Sequence, residues 1–509
     1  MGHSNVEADT ESDISGPKTP FPVSDLEKGI VGWDDQTDLS NPRNFATAKK
    51  WIIFILLSCM IVLSFLASSI IAPAASFIDA EFHNESSTLS SLITTIYVLG
   101  FMNAVKVSHS SADQFNGQVG PLLLSPLSEL YGRRPVYNCA NVFFTLTHIG
   151  AALAPNIGQL LAFRLLSGIG ASACLSIGGG VLADLFDLHE RGVPNAVLTL
   201  GSMFGPVLGP LIGGIITEQV DWRWIFRVLL IACAAVTIFM FVLPETNAPV
   251  LLQRKTQRLR DELSRPELQS AYDVDKEPTK SGALIARAVL RPWLLLFRSP
   301  LLPLLCLEVG FISGLLYLLL TTTSTFFRTV YGWSLSTAGL AYLGLGAGSL
   351  LGLVLFAQAS DAVVARLAAA NGNAYRPEMR LATAFVPALF IPVSFFWYGW
   401  STHARAHWAV AVLSLAPFGF AQVGLNAAAQ AYLIDASGPY AASSYACVTA
   451  VRCVFGAVMP LAGPSLYRNL GLGWGNSLLG FVSLAMVPFP VLIYRYGAKL
   501  REKYPLDKA

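Results

Sequence analysis

Charge is what this chain has least of. Asp, Glu, Lys and Arg make up 13% of its 509 residues, about half the share of a soluble globular protein, so a single core wrapped in a water-solvated surface is excluded. The net charge is only +2 and no basic stretch is interleaved with aromatics, which removes nucleic acid as a partner. The seven cysteines include no CxxC pair, so no metal or redox centre is indicated, no cofactor is expected, and the cysteines read as small core residues. No GxxxxGK[ST] phosphate loop occurs, so ATP is not the direct fuel of any work the chain does. Paired acids or an HxxxH pattern inside apolar runs are missing, and only His148 of the seven histidines lies in one, so an enzyme is not expected. A cleaved signal peptide is excluded as well, because the first apolar run begins only at Trp51.

What is present is apolar length. Hydrophobic residues make up 53% of the chain and the mean hydropathy is +0.54, which defines an all-α polytopic membrane protein. A helix needs about 20 apolar residues to cross about 30 Å of hydrocarbon. That ruler finds spans beginning near Trp51, Val136, Gln159, Val193, Trp224, Leu301, Thr337, Leu381, Trp408, Ser443 and Trp474.

A twelfth span, second in order, is interrupted. The stretch "NAVKVSHSSADQFNGQ", residues 103–118, carries Lys106, His109 and Asp113 between two greasy segments. Joining Ser90–Met102 to Val119–Leu130 restores a helix of spanning length that ends at Arg133 and Arg134. Burying Lys106 and Asp113 in lipid would cost about 2.5 to 3.5 kcal/mol each. The segment is therefore expected either to loop out of the helix or to be a translated intron absent from the mature protein.

Twelve spans place both ends of the chain on one side, and lysine and arginine say which. Lys49 and Lys50, Arg133 and Arg134, the loop from Pro244 to Ser299, and Lys499, Arg501 and Lys503 share one face, while the connections "DAEFHNESST" and "APNIGQ" carry none. By the positive-inside rule the termini are expected to be cytoplasmic in a multi-pass cell-membrane protein. Asn84, in the only N-x-S/T sequon, then falls outside, where glycosylation is possible. The expected organisation is a disordered cytoplasmic tail (1–47), a six-helix bundle (48–243), a cytoplasmic linker (244–299), a second six-helix bundle (300–496) and a cytoplasmic tail (497–509). The linker is amphipathic in "PETNAPVLLQRKTQRLRDEL", which predicts a helix on the membrane surface.

A weak repeat relates the halves: "SPLSELYGRRPVY" is echoed by "AQASDAVVARL". Repeated six-span bundles are a transporter architecture with the substrate site between them. "PLSELYGRRPVY" resembles the loop signature of the major facilitator superfamily, with Glu129 at the acidic position, Ser125 replacing the usual leading glycine, and Gly132, Arg133 and Arg134 following. The resemblance implies a conformational latch at these residues, with Asp361 as its counterpart in the echo. "LAFRLLSGIGAS" is similar to the superfamily's fourth-span motif, with Arg164, Gly168 and Gly170. An arginine inside a span usually faces a cavity or partner. In "GSMFGPVLGPLIGG", Gly201, Gly205, Gly209 and Gly213 recur every four residues with Pro206 and Pro210. That lays a smooth stripe for a neighbouring helix and resembles the motif associated with antiporters of the superfamily. "GWDDQTDLSNPRNF", "DWRWIFRV", "PETNAPVLLQRKTQRLR", "RPEMRL" and "QAYLIDASGPYAASSYA" extend the likeness to the fungal twelve-span drug:proton antiporter branch over nearly the whole chain.

The resemblance implies proton-coupled efflux of a small organic molecule, a drug, toxin or secondary metabolite, by a monomer in the bilayer. An importer or facilitator of the same fold is the alternative. Glu308 is the only carboxylate well inside a span and is expected to carry protons or to form a charge lock with Arg452 at similar depth, with Arg164 as a further member. The cavity walls that the family implies, from the first, fourth, seventh and tenth spans, offer Ser64, Ser68, Arg164, Tyr317, Gln422, Asn426 and Gln430 among apolar side chains.

Overall fold

The computed structural model describes residues 21–102, 127–129, 131–187, 190, 192–273, 296, 298, 300–437 and 441–504. The insert 103–118 lies outside the described residues. Among those residues, nine helical runs are long and apolar enough to cross a membrane. The last of these, Ser444–Lys503, has 60 residues, far more than one crossing needs. It turns at Gly471, whose φ of 71° is open to glycine without steric cost, and so supplies two spans. Two further helices, one of 16 residues that runs to the edge of the described chain and one that starts with two arginines, complete twelve.

The first bundle is built from α1 (Thr47–Ser69), the short α2 (Ala75–Glu81), α3 (Ser87–Met102), α4 (Arg133–Ala152), α5 (Ile157–Leu185), α6 (Gly192–Gln219) and α7 (Arg223–Val242). After the linker helix α8 (Ala248–Leu263), the second bundle comprises α9 (Leu301–Tyr331), α10 (Leu335–Gly339), α11 (Tyr342–Ala370), α12 (Phe385–His403), α13 (Trp408–Leu413), α14 (Ala416–Ser437), α15 (Ala441–Met486) and α16 (Pro488–Lys503). Large apolar side chains stand out from the bundle, with Ile231, Ile238 and Phe239 each more than 60% exposed. Such a surface is stable only where lipid, not water, is the solvent. Cys59 and Cys139, expected in the core, are on this exposed surface, while the other five cysteines are buried.

Residues 21–46 depart from the expected disordered tail. β1 (Ile30–Val31) pairs in parallel with β2 (Gln269–Ser270) just after α8, and Val31 and Trp33 are almost wholly buried. Lys255 of α8 donates to Asp34 (2.7 Å) and to the Gly32 carbonyl (3.0 Å). Two large apolar side chains and a run of local Asx bonds, such as Thr37 N–H to Asp35 and Ser40 N–H to Asp38, are enough to order a segment that looks polar on average. α8 buries Val250 and Leu252, so part of its apolar stripe is used within the protein.

Candidate functional site: the bundle interface and its ionic clamps

At the centre of the first bundle the Arg164 side chain is 1% exposed. Its guanidinium donates to four backbone carbonyls: Ala67 (2.6 Å), Ser68 (3.2 Å), Ile93 (3.2 Å) and Thr94 (3.2 Å). Ala67 and Ser68 are in the last turn of α1, where carbonyls lack helical partners, so the arginine ties the end of α1 to α3. Its carbon also lies 4.8 Å from the centre of the Tyr97 ring. The Tyr97 hydroxyl donates to the Ser64 carbonyl at 2.7 Å. Gly168, one turn on, makes room for α3, because a Cβ there would meet the Gly100 Cα at 2.9 Å.

The second bundle enters this cluster through Tyr317, midway along α9. Its hydroxyl donates to Ser68 Oγ at 3.2 Å. Two further hydrogen bonds join the bundles: Arg328 to Ser76 Oγ (3.1 Å) and the Ser336 N–H to Glu218 (2.6 Å). Both lie at the face bearing the Asn84 loop. Among the described residues, these side-chain hydrogen bonds between the bundles run from mid-membrane to that face.

Glu308 and Arg452 do not form the expected charge lock. Glu308 is buried in a narrow cleft with Phe311, Ile312, Ala388, Ile391, Leu425, Ser483, Met486 and Val487, between α9, α12, α14 and α15. Among the described residues it has no hydrogen-bond or ion-pair partner. Arg452 is half-buried and lies on α15 one turn before Gly456, which packs against the Tyr317 ring. The helical period decides this: α9 meets α15 through Cys306 and Cys447, whose sulfurs are 4.0 Å apart, which turns Glu308 to another face of the same helix.

At the linker face, ionic clamps close each bundle. Arg133 reaches Asp184 at the end of α5 (3.1 Å) and Ser128 Oγ (2.7 Å). Its backbone N–H and that of Arg134 donate to Glu245 (2.7 and 3.2 Å), a carboxylate placed at the N-terminus of α4, where negative charge is favoured. Gly132 is at φ 102° with Glu245 against the position of its missing Cβ. The Arg134 side chain donates to the Phe241 carbonyl (2.6 Å). In the second bundle Arg380 bridges Asp361 (2.8 Å) and Asp435 (3.0 Å), and the Tyr375 hydroxyl also donates to Asp435. Burial, followed by that bond, holds the Tyr375 phenol above its usual pKa. Asp361 is thus one of the two acids that Arg380 meets. Glu129, by contrast, is exposed and has no ion-pair partner among the described residues; the acids that meet Arg133 and Arg134 are Asp184 and Glu245. Asp184, an acid at the very end of a span, and Glu245, in "PETNAP" after the sixth, were the available signals.

The glycine stripe does what its spacing implies. Along α6, a Cβ at Gly201 would meet Val62 at 3.1 Å, one at Gly205 Leu66 N at 2.8 Å, one at Gly209 Ile70 N at 3.0 Å, and one at Gly213 Ile70 C at 2.9 Å. The helix closes onto α1 down to backbone contact. Pro206 and Pro210 lie inside α6, and the Pro210 carbonyl and Leu211 face Gly339 of α10. Of the other expected cavity residues, Ser64 and Ser68 are buried, with hydroxyls donating within their own helix. Gln422 and Asn426 are half-buried and linked by Asn426 Nδ2 to the Gln422 carbonyl (2.7 Å), while Gln430 is exposed. Asn84, on the loop after α2, donates to Asp79 (2.6 Å).

Two helical bundles joined by a linker, meeting at a polar cluster and clamped at one face, define a membrane transporter. A sequence profile of the Major Facilitator Superfamily matches residues 57–460. "MFS transporter cpaT" of Aspergillus oryzae is 42% identical over 472 residues, 92% of this chain and 91% of the relative. "Efflux pump radE" of Floropilus chiversii is 36% identical over 477 residues, 93% and 85%. In fold, the proton:xylose symporter XylE bound to 6-bromo-6-deoxy-D-glucose superposes with a TM-score of 0.61 at 16% identity, covering 89% of this chain and 96% of that one. The chain belongs to the Major Facilitator Superfamily, among fungal MFS transporters.

Proposed function

We propose that the chain exports small organic molecules from a fungal cell in exchange for protons, as a monomer working by alternating access. The linker face and both termini are cytoplasmic by the placement of lysine and arginine, and Asn84 is extracellular and open to glycosylation. The observation that carries the reading is the distribution of inter-bundle hydrogen bonds. Three bonds from mid-membrane to the Asn84 face hold that face closed, as suits a transporter that loads from the cytoplasm. Such bonds are few enough to be exchanged for the opposite set when the bundles rock. The efflux-pump name of a relative 36% identical and the glycine stripe support export.

Glu308 is the proton carrier in this proposal. A carboxylate in an apolar cleft without a cation is costly to ionise there, so its proton is exchanged only in the state that admits water. Inside-out vesicles holding the full-length chain, with an acidified lumen, should accumulate Nile red, and Glu308→Gln should remove the dependence on the gradient while leaving the protein folded. Accumulation only in right-side-out vesicles with inward-directed protons would make the chain an importer, and full gradient-driven export by Glu308→Gln would remove this residue from the coupling.

A further inference from the structure

The central cluster holds two arginines in opposite situations. Arg164 is saturated by four carbonyls. Arg452 is half-buried, about 16 Å from the linker-face end of α15, and among the described residues no carboxylate, carbonyl or hydroxyl accepts from it. Its surroundings place it on the transport pathway. Gly456, one helical turn on and so on the same face of α15, packs against the Tyr317 ring (3.0 Å from a Cβ built there) and against Val98 of α3 in the first bundle (3.4 Å). That face of α15 therefore lies at the seam between the bundles. Tyr317 in turn bonds Ser68 across the seam. Arg452 sits one turn toward the linker face from this closure, where a molecule entering from that face meets it. Among the described residues no acid serves as its counter-ion: Glu308 is in a separate cleft, and Asp184, Glu245, Asp361 and Asp435 are near the helix ends of the linker face.

An unpaired cation at this depth is costly and persists where something compensates it in the working cycle. A guanidinium offers a planar fork of donors that matches two oxygens of a carboxylate or a comparable delocalised acid.

We infer that Arg452 anchors the anionic group of the transported molecule, so that organic acids with an apolar body are preferred over their neutral or cationic counterparts. This rests on the reading of the bundle seam as the transport pathway. The apolar body has Tyr317, Val98 and the neighbouring aliphatic side chains to contact, and the acid replaces the missing counter-ion. Arg452 then acts as a specificity residue: it selects charge and takes no part in proton transfer.

The test uses purified full-length protein in nanodiscs and two near-isosteric probes, indole-3-acetate and its neutral amide. Thermal unfolding should shift upward more with the acid than with the amide. Arg452→Gln should weaken the acid by about tenfold, as expected for loss of one charge-assisted pair, and leave the amide unchanged, while Arg452→Lys retains part of the preference. An unliganded midpoint near that of the parent confirms that each variant is folded. Equal response of the parent to acid and amide, or an acid preference that survives in Arg452→Gln, overturns the inference. Export of Nile red from cells reports the transport reading separately: export without acid preference sinks only the role of Arg452, and acid preference without export sinks only the direction.

Discussion

Glu245 Oε1 lies 2.7 Å from the backbone nitrogen of Arg133, 112 residues earlier in the chain. The same carboxylate accepts from the N–H groups of Arg134 (3.2 Å), Thr246 (3.0 Å) and Asn247 (3.0 Å) and is 6% exposed. It caps α4 and binds the start of the linker to the first bundle in one contact. Glu245→Ala leaves those donors facing a void. The expected cost is about 2 to 3 kcal/mol, the range for hydrogen bonds to a buried charged group, read as a lower unfolding temperature in nanodiscs together with slower efflux.

The two acids on Arg380 should be unequal. Asp361 is 86% exposed at its side chain and Asp435 27%, and Asp435 also receives Tyr375. A solvent-screened pair contributes about 0 to 1 kcal/mol, so Asp361→Asn should barely move stability or transport. Asp435→Asn should slow transport several-fold. A double-mutant cycle between Arg380→Gln and each aspartate, scored on efflux rate, should show coupling for Asp435 and little for Asp361; the reverse order would refute the assignment.

Arg164 holds four carbonyls with a rigid fork of donors, which a lysine ammonium cannot reproduce. Arg164→Lys keeps the charge yet leaves at least one carbonyl of α1 or α3 unpaired. The expected loss is about 3 kcal/mol, visible in thermal unfolding and in loss of efflux. Parental stability and rate in Arg164→Lys would show that charge alone matters at this position.

Glycines separate by what their missing Cβ would meet. Gly213→Ala drives a methyl into the backbone of Ile70 and should destabilise by about 1 to 3 kcal/mol. Gly179, with open space around it on α5, should accept alanine with a gain of about 0.5 to 1 kcal/mol. Unfolding midpoints of the two variants, measured side by side, should move in opposite directions.

Much of this was legible in the residues. Each expected span start falls within a few residues of a helix, and the four-residue glycine period of α6 marked a helix contact that the structure supplies with α1. The echo of the "SELYGRR" loop pointed to Asp361, which the structure pairs with Arg380. The loop motif around Glu129 does not reveal the acids that Arg133 meets, because the fold brings Asp184 and Glu245 to it from 51 and 112 residues away. The docked segment around Trp33 was missed because its partner, β2, lies beyond the whole first bundle.

The sequence by itself determined that the chain crosses a membrane, how many times, and that its cations gather at one face. Those properties follow from span length and local charge, which a bilayer reads one segment at a time. Only the tertiary structure decided that Glu308 and Arg452 stand apart, that Arg164 is saturated, and which acids close the clamps. These depend on the rotation of each helix about its own axis and on contacts between segments distant in the chain. Helix rotation is set by packing at the glycines and at the Cys306–Cys447 approach, and one residue of phase, about 100°, is enough to turn a side chain from one neighbour to another.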